Sequence, residues 1–250
     1  MNHFRNKVVL VTGGGAGIGL SAATLFARQG ARVVITGRRQ AALQHAADSV
    51  NGIDYLVADA GNPSDAARTI EEVAARHGRL DVLVNNAGAG AILPLSQANF
   101  ARISEIFSIN VFGPSLLATA ALPHLRRAAG NIVNVSSTFG HKPAQALSHY
   151  AASKAALEHM TKCWALELAV EGIRVNAVAA GPTETDFLSE RMKLSADQIE
   201  NVKASERARI PLGRRGFPED VAGWIVSLAS PDAAWVTGQV ITVDGGLDAT

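Results

Sequence analysis

The densest chemistry in this chain sits on one helical turn. Tyr150 and Lys154 stand four apart in the stretch SHYAASKAALEHMTKCWALELA, whose Ala, Leu and Glu content and apolar spacing read as one long helix. At that spacing the two side chains share a helix face, one above the other. A free phenol has a pKa near ~10 and is a poor acid or base at neutral pH. A neighbouring ammonium favours the phenolate and lowers that value by roughly one to three units for a close pair. The expected chemistry is proton transfer by the phenol. Tyrosine and lysine also meet by chance on many helices, so the pair needs context.

A second cluster lies near the start. A strand pattern ends in Thr12 and runs into GGGAGIG, Gly13 to Gly19, ahead of a helical pattern. A tight strand-to-helix turn needs residues tolerant of positive φ, and a pyrophosphate approaches the backbone only where Cβ atoms are missing. The helix start adds free N–H groups and a partial positive charge. The common G-x-G-x-x-G spelling does not fit, because its third glycine would fall on Ile18 or Leu20; T-G-x-x-x-G-I-G does, with Gly13, Gly17 and Gly19. Gly13, Gly15, Gly17, Ile18 and Gly19 are therefore expected to bind a mononucleotide or dinucleotide, the alternative being a merely structural turn. About 20 residues on, a free ribose 2′-OH would want a carboxylate. The chain there reads Ile35-Thr36-Gly37-Arg38-Arg39. A guanidinium fork suits a phosphate, so Arg38 and Arg39 point to NADP(H), with NAD(H) possible. The alternative is a pair of solvated arginines opening the second helix.

These residues need a frame to hold them. Seven β-branched runs, at 7–12, 31–36, 53–58, 80–85, 131–136, 173–179 and 239–243, have the nearly continuous apolar character of strands covered on both faces. Helical patterns at 18–29, 39–50, 64–77 and 149–171 lie between them. The alternation implies right-handed crossovers. The expected fold is a single α/β domain over 1–250, a Rossmann-type doubly wound parallel seven-stranded sheet with helices on both faces. Residues 183–215 break the rhythm with a polar, charge-rich stretch after the sixth strand. Ligands of open α/β sheets bind beyond the carboxyl ends of the strands, so this stretch is expected to be a substrate lid. A surface helix pair with no role in binding is the alternative.

Composition narrows the partners. Lys+Arg number 23 against 22 Asp+Glu, which gives no reason to expect a nucleic acid or an anionic membrane. No stretch is read as approaching the ~20 apolar residues of a bilayer span, and MNHFRNKVVLVTGG lacks the apolar core of a signal peptide. The chain thus reads as soluble and cytoplasmic. The single cysteine, Cys163, cannot form an intramolecular disulfide and is expected to be a small buried hydrophobe. His45, His77, His124, His141, His149 and His159 show no HExxH or paired ligand spacing, so no metal is expected. His141 and His149 flank the Tyr150 side and are candidates for touching substrate. Trp164, Trp224 and Trp235 are read as core or subunit interface.

Taken in order, TGGGAGIG, then Asn85-Asn86-Ala87-Gly88, Asn110, Ser137, Tyr150 and Lys154 resemble the short-chain dehydrogenase/reductase family, in its short single-domain branch, from about residue 5 to residue 247. The resemblance implies that Tyr150 is the general acid/base for a carbonyl/alcohol pair. It implies that Lys154 lowers the tyrosine's pKa and hydrogen-bonds the nicotinamide ribose, and that Ser137 holds the substrate oxygen. Asn110 would hold a water in a proton relay reaching Lys154. Asp59, with Ala60 beside it, would meet the adenine; Asn86, Ala87 and Gly88 would line the adenosine side. The run AAGPTET resembles the family's P-G-x-x-x-T element, through which Gly181, Pro182, Thr183 and Thr185 would meet the carboxamide and phosphates. Here Ala180 stands in the expected proline's place and a proline follows at 182.

The resemblance also implies a small-molecule carbonyl or alcohol substrate and a homotetramer, with the 149–171 helix and the C-terminal segment in interfaces. Substrate contacts are expected from 89–95, 138–149 and 183–210, including Ile92, Leu93, Phe139 and Phe187. One alternative is a 3-oxoacyl-[acyl-carrier-protein] reductase, whose sequences look very like this one; Arg126, Arg127 or Arg174 would then receive the acidic carrier. An enoyl reductase fits less well, since that branch uses a longer Tyr-to-Lys spacing. A non-catalytic dinucleotide sensor is the remaining alternative, disfavoured because Ser137, Tyr150 and Lys154 are all present.

Overall fold

β-Branched runs become strands where both faces can be covered, because their stiff side chains pack well on a pleated surface. The computed structural model describes residues 3–250. Its strands are β1 (Val8–Thr12), β2 (Arg32–Gly37), β3 (Ile53–Val57), β4 (Val82–Asn85), β5 (Asn131–Ser137), β6 (Arg174–Ala180) and β7 (Val240–Val243). They form one parallel sheet in the order β3-β2-β1-β4-β5-β6-β7. All seven expected strands are present, and the order reverses between β1 and β4. That reversal opens a crevice at the carboxyl ends.

Alternate residues of β1 feed two cores, as the two-residue strand period requires. Val9 and Val11 join Phe26, Leu43 and Ile225 on one face, under α1 (Gly17–Arg28), α2 (Gln40–Ser49) and α9 (Pro218–Ala229). Val8 and Leu10 join Ile70, Leu117, Leu125 and Leu168 on the other. That face is covered by α3 (Pro63–His77), α5 (Gly113–Ala128) and α6 (Ser148–Leu168). The polar stretch after β6 holds α7 (Phe187–Glu190) and α8 (Ala196–Arg209), the latter opened by a capping box between Ser195 and Gln198.

Three expectations change here. Helix α4 (Phe100–Phe107), a π-helical turn at Ser108–Phe112 and α5 join into one run, Phe100–Ala128, long and apolar enough to cross a membrane. In the fold, Leu117, Ala118, Ala121 and Leu125 of this run pack into the core. Cys163 is exposed on α6, not buried, because the face it shares with Leu166 and Val170 points away from the sheet. Trp164 is partly buried against the core, whereas Trp224 is half exposed and Trp235 fully exposed in the single chain.

Candidate active site

The seat of the site is α6, and polar groups rather than apolar packing fix where its first turns lie. The π-helical turn widens the backbone around Asn110 and carries its side chain inward, where it is 1% exposed. Asn110 Oδ1 accepts from the Ala89 N–H at 2.8 Å, and Nδ2 donates to the Ala89 carbonyl at 2.8 Å and to Ser153 Oγ at 2.9 Å. Ser153 Oγ in turn donates to the Tyr150 carbonyl at 2.7 Å. A second chain crosses the sheet: Asn85 Nδ2 donates to Asn134 Oδ1 at 2.9 Å, and Asn134 Nδ2 to Thr161 Oγ1 on α6 at 2.8 Å. Ser153, Asn134 and Thr161 were not singled out from the sequence. The available signal was a polar residue inside an otherwise apolar strand or helix face.

Tyr150 and Lys154 are both buried. Lys154 Nζ donates to the Val135 carbonyl at 2.8 Å. Burial pulls the ammonium's pKa down to about 8, partly offset by the Glu158 carboxylate. The phenol goes the opposite way from expectation. Burial raises Tyr150 above its ordinary value, and a side-chain hydrogen bond with Ser137 only partly opposes this. The cost of a phenolate out of water dominates in the protein alone. The neighbouring Ser136 is separated from this chemistry: its Oγ donates to Glu158 at 2.7 Å, away from Tyr150.

The glycine turn forms the floor of the crevice. Gly13 and Gly17 hold positive φ, 65° and 53°, and a Cβ on Gly19 would lie 2.4 Å from the Gly13 carbonyl oxygen. No side chain caps the start of α1, so its first N–H groups face the crevice without a protein partner. Thr12 and Asn86 lock the turn to β4. Thr12 Oγ1 accepts from the N–H groups of Asn86 and Ala87, and Asn86 Nδ2 donates to the Thr12 and Gly13 carbonyls.

A cavity of about 920 Å³ runs over this floor. Gly13, Gly15, Gly17, Ile18, Gly19, Arg38, Arg39, Asn86, Ala87, Gly88, Ser137, Tyr150, Lys154, Gly181, Pro182, Thr183 and Thr185 all line it. The ends of β2 and β5 are three strands apart, ~14 Å at ~4.8 Å per strand. The guanidinium groups therefore occupy one end and the phenol the other. Asp59 and Ala60 line a small adjoining hollow with Thr12 and Thr36 instead. Asp59 Oδ2 is nonetheless 3.8 Å from Arg38 Nη1. Asn110 sits behind the wall: a methyl placed on Gly88 would lie 3.6 Å from both Asn110 Oδ1 and Lys154 Nζ. A glycine cradle, uncapped helix N–H groups and guanidinium groups together fit the phosphate groups of a nicotinamide dinucleotide.

The segment after β6 lines the cavity through Phe187, Leu188, Arg191, Met192 and others. The Phe187 ring lies 6.1 Å from that of Tyr150. Ile92 and Phe139 line the cavity as expected, but Leu93 does not; it packs with Ala91 and Ile106. Neither His141 nor His149 lines it. His141 is turned to the carboxylates of Glu158 and Asp248, at 3.2 and 3.4 Å. The expected carrier-protein arginines lie away from the cavity. Arg174 donates to the carbonyls of Leu228, Val236 and Ser230 at the amino end of β6, Arg126 pairs with Glu171, and Arg127 contacts His124. They stand at the opposite edge of the sheet because α5 ends and β6 begins there.

The family model described as enoyl-(acyl carrier protein) reductase matches residues 13–248. A 3-oxoacyl-[acyl-carrier-protein] reductase of Thermotoga maritima is 39% identical, covering 98% of this chain and 99% of its own. An L-fucose dehydrogenase of Bos taurus is 35% identical, over 98% of this chain and 91% of its own. Among solved structures, a short-chain dehydrogenase/reductase of unknown function from Caenorhabditis elegans, with cofactor, superposes with a TM-score of 0.92 at 33% identity, covering 99% of this chain and 97% of that one. A 3-ketoacyl-(acyl-carrier-protein) reductase from Brucella melitensis, complexed with NADH, gives 0.90 at 32% identity, covering 98% and 99%.

The buried ammonium has a measurable signature. Its pKa is depressed on folding, so the cost of charging it is fully present below pH 8 and fades as pH rises toward the unfolded value of 10.5. The stability of the cofactor-free protein should therefore gain up to ~3 kcal/mol from this group across that window. In Lys154→Met that gain should vanish. Urea unfolding of both proteins at intervals from pH 8 to 10.5 measures it, and a constant difference between them would show that the ammonium is not strained by burial.

Proposed function

The chain belongs to the short-chain dehydrogenase/reductase family and is a nicotinamide-dependent oxidoreductase acting on CH–OH and C=O groups; on that premise we propose that it is an NADP(H)-dependent ketone reductase or secondary-alcohol dehydrogenase with Tyr150 as its general acid/base. The observation that carries this reading is a buried phenol, beside Ser137 and one helical turn from a buried ammonium, on the wall of the cavity that the glycine turn floors.

Because burial holds the phenol above its ordinary pKa, Tyr150 carries its proton at neutral pH. It is ready to donate to a carbonyl oxygen, which suits reduction. Ser137 orients and polarises that oxygen from beside Tyr150. A bound nicotinamide dinucleotide supplies the hydride, or accepts it in the reverse direction. Lys154, mostly protonated at neutral pH, has three N–H donors and gives one to Val135. The others are available to a ribose and to the proton path. Asn110, sharing the Gly88 wall with Lys154, anchors the inner end of that path through a water.

Gly13, Gly15, Gly17, Ile18 and Gly19 would hold the pyrophosphate. Asn86, Ala87 and Gly88 would flank the adenosine side, with Asp59 and Ala60 near the adenine. Gly181, Pro182, Thr183 and Thr185 would meet the nicotinamide end, and Arg38 and Arg39 the 2′-phosphate. The 183–215 segment acts as the lid, which its cavity-lining residues support. Its closure would exclude water from the reacting atoms. A homotetramer is supported by the exposed apolar side chains Leu166 on α6, Val170 in the 3₁₀ turn that follows it, and Phe112 and Leu116.

The Thermotoga and Brucella relatives favour one second reading, reduction of a 3-oxoacyl thioester on a carrier protein. Lys142, Lys193 and Arg209 line the cavity and replace Arg126, Arg127 and Arg174 as the basic residues for an acidic carrier. The four-residue spacing of Tyr150 and Lys154 favours carbonyl over enoyl chemistry in either case.

Tyr150→Phe should lower kcat by about 10²–10⁴-fold with little change in cofactor affinity; full turnover on the true substrate would sink the acid/base role. Arg38→Ala should raise the KM for NADPH far more than that for NADH, and equal effects would remove the NADP(H) preference. Following NADPH and NADH oxidation by the absorbance of the reduced nicotinamide across ketones, keto-sugars, quinones and a 3-oxoacyl thioester separates the two readings. A kcat/KM for the thioester well above every simple ketone would select the second.

A further inference from the structure

The α7 helix bridges the two ends of the cavity with long side chains. Phe187 reaches the Tyr150 ring, while Glu190 forms an ion pair with Arg39. The next residue, Arg191, is partly buried and lines the same cavity as Arg38 and Arg39. Among the described residues, its guanidinium has no ion-pair or hydrogen-bond acceptor in contact, unlike Arg39 on Glu190, Arg38 near Asp59 and Arg215 on Glu184 and Glu206. We propose that Arg191 is a third reader of the cofactor's 2′-phosphate, delivered by the lid and taking its place beside Arg38 and Arg39. This rests on the NADP(H) reading above and adds a residue that the family pattern does not mark.

Charge counting favours an anion at this spot. Three guanidinium groups, Arg38, Arg39 and Arg191, gather with two carboxylates, Asp59 and Glu190. One positive charge is left over. Desolvation, and then repulsion from Arg38 and Arg39, both push the Arg191 guanidinium toward losing its proton, with Glu190 and Asp59 opposing. A surface arginine with a free choice of rotamer would extend into water instead. A phosphate monoester carries a charge of about −1.5 to −2 near neutral pH. If it replaces the Glu190 carboxylate as the partner of Arg39, three positive charges face about three negative ones. Glu190 thus holds the anion position on Arg39 until the phosphate takes it, and Arg191 gains the acceptor it lacks. Arginine's planar fork is suited to that contact in a way lysine's ammonium is not.

The test is equilibrium binding to the full-length protein, by fluorescence titration with NADPH and NADH and by calorimetry with adenosine 2′,5′-bisphosphate and 5′-AMP. Arg191→Ala should weaken NADPH and the bisphosphate about tenfold, the scale of one lost charge-assisted contact, and change NADH and 5′-AMP by less than about twofold. Arg191→Lys should fall between wild type and Arg191→Ala. Glu190→Gln should tighten NADPH by removing the competing carboxylate. If Arg191→Ala weakens NADPH and NADH alike, or neither, while Arg38→Ala still discriminates between them, the Arg191 inference fails and the NADP(H) reading stands. If Arg38→Ala and Arg191→Ala both fail to discriminate, the NADP(H) reading fails and takes this inference with it.

Discussion

An ammonium held out of water is the constraint on which the rest of this site depends. Lys154 is 4% exposed, and a charge in that position is tolerated only where neighbouring groups compensate for lost hydration. The Val135 carbonyl supplies one acceptor and Glu158 a more distant negative charge. Val135 lies on β5 and Glu158 one turn beyond Lys154 on α6, so the seam between that strand and that helix must close in a single register. A shift of one residue in either element would leave the charge without its carbonyl. The same seam sets Tyr150 beside Ser137, which ends β5.

Polar side chains rather than apolar ones enforce that register. Apolar packing is non-directional and tolerates small slides, whereas a buried amide without its partner costs ~1–3 kcal/mol. Asn85, Asn134 and Thr161 tie β4, β5 and α6 together, and Asn110 and Ser153 tie the Ala89 loop to the first turn of α6. The π-helical turn belongs to this arrangement. It surrenders regular α-helical bonding over Ser108–Phe112, and in exchange Asn110 reaches both backbone groups of Ala89. The rigidity of the phenol's surroundings therefore comes from a few directional bonds laid across a generic apolar sandwich.

This division explains what the sequence revealed. Strands were legible because buried parallel strands read as continuous β-branched runs, and the glycine turn because its backbone tolerates few residue types. Tyr150, Lys154, Ser137 and Asn110 stand out through their resemblance in order and spacing to the short-chain dehydrogenase/reductase family, and the fold brings them to the same wall or just behind it. Periodicity reports that a polar residue interrupts an apolar face but not which partner it meets, so Ser153, Asn134 and Thr161 stayed hidden. The same limit applied to His141, whose carboxylate partners, Glu158 and Asp248, are 17 and 107 residues away in the chain. Cys163 is exposed where burial was expected because apolar character reads the same whether a residue faces its own core or lies open on the chain's surface. The Phe100–Ala128 run escaped notice as a long apolar helix because Asn110, Ser115 and the paired Arg126 and Arg127 break up its composition.

The layout separates affinity from reactivity. Charged groups that can grip an anion gather beyond β2, three strands from the phenol, where partial exposure lets water and salt moderate them. At the reacting end Tyr150 and Lys154 are both buried, so their charges and dipoles act at a lower effective dielectric than in water. Binding energy gathered at the distant end can hold and orient what reacts without stabilising the ground state at the reacting atoms. Placing guanidinium groups beside Tyr150 would favour its phenolate and surrender the proton that reduction needs at neutral pH. The three-strand separation of the β2 and β5 ends keeps the phenol's proton governed by its own burial and by Ser137.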